Sequence, residues 1–217
     1  MLKFFSINTT VESICFLLSL YYLRKEKSRF WIIFSLYLGL TCFIEISGNI
    51  IGKVYHQHNI WLYNIFMLIE ALFICYGLYF FLKDYLKITI WMLSTLCIIL
   101  IINTIWVFKN GIGTYNDLTV SIMSVVFVLY ALIYFYVLLR DEAYIDLKNH
   151  PAFWWVGGML IFYFGSTLAN FFDDLFAIKV YGKYSLRFFA YSTLNIFLYS
   201  FWTYSFICRA RQHKLSH

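Results

Sequence analysis

Three carboxylates, Glu12, Glu45 and Glu70, lie inside apolar stretches long enough to cross a bilayer, and none of those stretches holds a Lys or Arg to neutralise them. A charge at the centre of a membrane helix costs roughly 2.5–3.5 kcal/mol on insertion scales, so intramembrane acids mark ligand, ion or proton sites. A carboxylate there can bind a cation, hold and release a proton, or accept hydrogen bonds from a small ligand. A purely structural hydrogen bond could be made by glutamine, without the titration risk, so Glu45 and Glu70 read as functional.

Other polar residues share helical faces with these acids. Thr41, Glu45 and Asn49 are spaced i, i+4, i+8 and form one stripe. Gly48 and Gly52 near that stripe would let a neighbouring helix approach closely. Tyr63 stands seven residues before Glu70, with Asn64 beside it. Ser166, Asn170, Asp173 and Asp174 follow one another along a later stretch, and Arg187, Tyr191 and Asn195 along the last. The expected site is a polar, ligand-binding cavity formed by Glu12, Glu45, Asn49, Asn64, Glu70, Asn170, Asp173, Arg187 and Tyr191. The plainer reading is that Asn103, Asn195 and the hydroxyls bond across helices and serve packing, and that Asp173 and Asp174 are loop charges.

Several chemistries lack their residues. A retinal Schiff base needs a lysine deep in the last span, and residues 188–208 contain none. The five histidines, His56, His58, His150, His213 and His217, all lie outside the apolar stretches, so a multi-histidine zinc hydrolase is not expected. His56-x-His58 with Glu45 is a weak metal pattern. No GxSxG, HExxH or serine–lysine signature occurs, and no catalytic residue, metal ligand or cofactor is assigned. The five cysteines show no CxxC and read as buried apolar thiols rather than a disulfide framework. The single proline, Pro151, falls where a helix should start, and the ten glycines do not cluster in matching halves. Broken-helix transport is therefore the lesser expectation.

The elements that must position these residues follow from composition. The chain has 217 residues, 62% hydrophobic, 23% aromatic and 13% charged. Soluble domains average about 45–50% apolar and about 25% charged residues. The expected fold is therefore an all-α, polytopic membrane protein, a single integral-membrane domain over 1–217. Spans are predicted near 5–23, 30–51, 60–82, 88–108, 117–139, 152–173 and 184–208, a seven-helix bundle with short antiparallel connections. Of the seventeen Lys and Arg, eleven fall on the C-terminal side of such a bundle and six on the other, four of the eleven in the first loop, RKEKSR. That bias predicts the N-terminus outside and the C-terminus in the cytoplasm. It also accounts for the +6 net charge better than nucleic-acid binding does, since no basic patch interleaved with aromatics is present. In that orientation the acids and amides occupy the outer half of spans 1, 2, 3, 6 and 7, leaving spans 4 and 5 lipid-facing or purely structural.

The segments WLYNIFMLIEALFICYGLYFFL, FWWVGGMLIFYFGSTLANFF and LNIFLYSFWTYSFIC resemble a group of uncharacterised seven-helix membrane proteins of Bacteroidota-type bacteria, over most of the chain. The resemblance implies a bacterial cytoplasmic membrane and a sensory role beside a membrane histidine kinase; it carries no site residues. The expectation is a receptor or sensory subunit in the lipid bilayer that binds a small ligand or ion and signals through that partner. A proton- or ion-coupled transporter, a lipid-modifying intramembrane enzyme and an assembly subunit are the alternatives.

Overall fold

The computed structural model describes residues 7–140, 146–172, 176, 178–180 and 184–215. Seven α-helices run through them: α1 (Ile7–Tyr22), α2 (Arg29–Lys53), α3 (Ile60–Leu82), α4 (Thr89–Asn110), α5 (Asp117–Arg140), α6 (Pro151–Phe171) and α7 (Leu186–Leu215). A 3-10 turn, Leu147–Asn149, precedes α6. A two-residue antiparallel ladder, β1 (Lys179–Val180) with β2 (Tyr184–Ser185), precedes α7. Each helix falls on one predicted span, and the main difference is that α7 runs on to Leu215.

Five of the helices, α2 to α6, are long and apolar enough to cross a membrane, which marks an integral membrane protein. The other two are set apart by length and composition. The described residues of α1 number 16, fewer than the roughly 20 that span a hydrocarbon core. In α7 the run of Tyr, Trp, Ser and Thr among the aliphatic residues lowers the hydropathy. The polar tips of Tyr and Trp need hydrogen-bond partners when buried, and several find them within the protein.

Helix ends follow local chemistry. Asn116 caps α5: its Oδ1 accepts from Thr119 N–H at 3.0 Å, meeting one of the amides left open in a first turn. Asp117 in the first turn and Arg140 in the last complement the helix dipole. His150 caps α6 through Nδ1, which accepts from Phe153 N–H at 3.3 Å, and Pro151 takes the first helical position as expected. The chain leaves α4 through Gly111 at φ +79°, a left-handed conformation that a side chain would strain.

Two compact units form. The first comprises residues up to Phe16 together with Lys27–Met123; the second comprises Leu17–Glu26 and the described residues from Ser124 onward. The first is held by aromatic packing of α2 on α3. Tyr37 stacks on Phe73 with centroids 3.9 Å apart, and the fully buried Phe30 sits among Phe73, Phe80 and Phe81. Little of α4 is buried, chiefly Met92, Ile99 and Asn103. Cys97 is accordingly exposed, unlike Cys15, Cys42, Cys75 and Cys208, so the buried-thiol reading fails at this one position.

In the second unit α6 and α7 pack closely because small residues line the contact. A Cβ placed on Gly158 would lie 2.8 Å from Phe201 Cβ and 3.3 Å from Leu198 O. Trp155 and Trp202 stack beside this contact, and Trp202 Nε1 donates to Trp155 O at 3.3 Å. Phe127 of α5 meets Tyr163 edge-on in the same core. Glu26 accepts a two-pronged bond from Arg209, with Nε 2.6 Å from Oε2 and Nη2 3.1 Å from Oε1. This pair clamps the segment after α1 to the C-terminal part of α7.

Candidate functional site

Glu12 comes from α1, Glu45 from α2 and Glu70 from α3, and all three belong to the first unit. Two tyrosines each feel more than one of them. Tyr37, buried on α2, lies in the electrostatic field of both Glu70 and Glu12, and its backbone O accepts from Thr41 Oγ1 at 3.0 Å. Tyr63, on α3, hydrogen-bonds to the Glu45 side chain and also feels Glu12. Cys42, on α2, lies in the field of Glu12 and Glu45 as well.

The backbone explains this arrangement. Glu12 is only 4% exposed, so its carboxyl depends on protein groups rather than water. Gly48 makes room for Tyr63: a Cβ there would sit 2.5 Å from the tyrosine hydroxyl. Asn59, just before α3, donates Nδ2 to Gly48 O at 2.9 Å and fixes the approach of the two helices. Lys53 is the cation acting on Glu45. Carboxyl groups with hydroxyls near them can exchange protons or accept donors from a small ligand.

The remaining predicted site residues divide. Asn49 donates its amide to Glu45 O at 2.9 Å, four residues back on the same helix. Asn64 is 4% exposed and donates Nδ2 to Ile112 O and Thr114 O, both at 2.8 Å, so it clamps the α4–α5 loop. Asn170, Arg187 and Tyr191 form a separate polar group in the second unit. There Asn170 Oδ1 accepts from Arg187 Nη2 at 2.7 Å and from the Tyr191 hydroxyl at 2.8 Å. Asp173 lies outside the described residues. Among the described residues, no group of three His, Cys, Asp or Glu side chains is placed to hold a metal ion.

Tyr37 was not singled out from the sequence, although the signal was present. It extends the Thr41, Glu45, Asn49 stripe by one more step of four. The Glu26–Arg209 pair had no such signal, because both residues read as ordinary charges at the ends of spans.

The fold defines an integral membrane protein that carries acidic side chains on three of its helices. No protein family, curated protein or solved structure was found to match the chain.

Proposed function

We propose that the chain is a membrane sensory subunit whose site is the cluster of Glu12, Glu45 and Glu70 with Tyr37 and Tyr63. One observation supports this reading: three costly acids on three different helices act electrostatically on two tyrosines, and Glu12 acts on both. The ligand is a small molecule with several donors. It acts by favouring one arrangement of α1, α2 and α3, to the extent of its differential affinity for the two states. The site faces outward and the C-terminus is cytoplasmic, as the basic-residue bias argues. The output passes to a separate membrane partner, a histidine kinase in the leading reading, and the home membrane is bacterial and cytoplasmic.

The test is a pair of measurements on the full chain in proteoliposomes, saturable ligand binding and ligand flux. Binding without flux, abolished by Glu70→Gln in a variant that still inserts and folds, supports the sensor. Net flux lost in the same variant replaces it with a coupled carrier. Parent-like behaviour of Glu70→Gln in both assays removes Glu70 from the site.

A further inference from the structure

His150 must be uncharged to do its work in the second unit. It holds the start of α6 by accepting from Phe153 N–H at 3.3 Å through Nδ1, which leaves the ring proton on Nε2. The hydroxyl of Tyr134, a buried residue of α5, stands 3.5 Å from the same nitrogen. A proton on Nδ1 would turn this acceptor into a donor that faces another donor. It would also set a positive charge against the positive end of the α6 dipole. Burial acts in the same direction, holding the basicity of His150 below its ordinary value.

The turn before His150 ties this cap to the C-terminal end of α7. Asp146 closes Leu147–Asn149, its Oδ1 accepting from Lys148 N–H at 3.2 Å and its Oδ2 from Asn149 Nδ2 at 2.7 Å. Lys148 O accepts from Trp154 Nε1 of α6 at 3.1 Å and from Sγ of the buried Cys208 of α7 at 3.3 Å. Asn149 O accepts from Gln212 Nε2 at 3.3 Å, and Arg211 Nη1 is 3.5 Å from the Asn149 side-chain oxygen. The cap of α6 and the last turns of α7 therefore share one three-residue support.

The titratable and charged groups around His150 come from three elements. Tyr134 belongs to α5, Asp146 and Lys148 to the turn, and Cys208, Arg209 and Arg211 to α7, with Arg209 paired to Glu26. Among the described residues, the imidazole bonds to none of the charged ones. Of all these side-chain types, only imidazole ordinarily changes charge between about pH 5 and 8. His213, one residue past Gln212, is a second imidazole on α7 and calls for its own control.

We infer that His150 and Leu147–Asn149 form a proton-operated latch, closed while the imidazole is neutral, whose release frees the start of α6 and the last turns of α7 together. Hydrogen exchange of the full chain in lipid nanodiscs tests it, read by mass spectrometry at about pH 7.5 and about pH 5.5 with labelling times scaled for the intrinsic rate. A released imidazole with the ordinary pKa of about 6.5 shifts the balance by at most about ten-fold over that range. Exchange in the parent should therefore rise between about two- and ten-fold at 152–156 and, in step, at 205–212. His213→Gln should keep that response. His150→Asn, a cap that does not titrate, should match the parent at the higher pH and lose the response in both segments. Equal exchange at the two pH values in the parent overturns the latch. So does loosening at 152–156 alone, which would make His150 a fraying cap with no hold on α7. A response that survives in His150→Asn, or vanishes in His213→Gln, overturns it as well.

Discussion

Arg209→Ala should be among the more damaging single truncations at the C-terminal end of α7. The Glu26 side chain is 5% exposed and receives both prongs of the Arg209 guanidinium, at 2.6 and 3.1 Å. Removing one partner of a buried pair costs about 3–5 kcal/mol, because the other charge is stranded. Arg209 itself is 30% exposed, so water can reach the vacated side and the lower end applies, about 3 kcal/mol. At about 2–4 °C per kcal/mol for a chain of this size, Tm should fall by roughly 6–12 °C. The double variant Glu26→Gln with Arg209→Met removes both charges and leaves groups of similar volume. It should recover to within about 1 kcal/mol of the parent, since the net worth of a buried pair is small. Thermal unfolding of the three proteins in one detergent, followed by helical circular dichroism, makes the comparison. A single variant within about 1 °C of the parent, or a double variant as damaged as the single, would refute the reasoning.

Two more outcomes follow from the second unit. Gly158→Ala should destabilise by about 1–3 kcal/mol, because its new methyl meets Phe201 Cβ and the Leu198 carbonyl, which cannot rotate away. Gly165→Ala should cost less, since it meets only the end of the Leu194 side chain; unfolding curves for both variants check the order. His150 has its basicity lowered by burial, and its Nδ1 accepts from Phe153 N–H, with the Tyr134 hydroxyl 3.5 Å away. Protonation is thus easier in the unfolded chain, so the cap's contribution of about 1 kcal/mol is present above the ordinary histidine range and lost as pH falls below it. His150→Asn, an acceptor that does not titrate, should flatten the difference between melts at about pH 7.5 and about pH 5.5.

Much of the helix layout was legible because apolar runs bounded by RKEKSR, KDYLK and similar charged breaks leave few alternatives. The helix start at Pro151 was legible for the same local reason. The convergence of Glu12, Glu45 and Glu70 is an expectation from cost alone, and the place of Tyr37 beside them was not expected, since face-sharing says little about which neighbouring helix meets which face. Asn64 shows the limit of polarity as a signal. It was assigned to ligand binding, yet its NH₂ secures the loop at Ile112 and Thr114, and no periodicity links residues so far apart in sequence. Asn103 read as packing, and its bond to Asn116 agrees.

The central claim is that three acids on three helices act as one site, and carboxyl-region infrared spectroscopy of the full chain in proteoliposomes tests it directly. Spectra recorded through a pH titration of the parent and of Glu12→Gln, Glu45→Gln and Glu70→Gln should show coupled behaviour. Each substitution should remove one band and displace the titration of at least one of the remaining two. Spectra in which each variant merely loses its own band, with the others titrating as in the parent, would contradict the shared site.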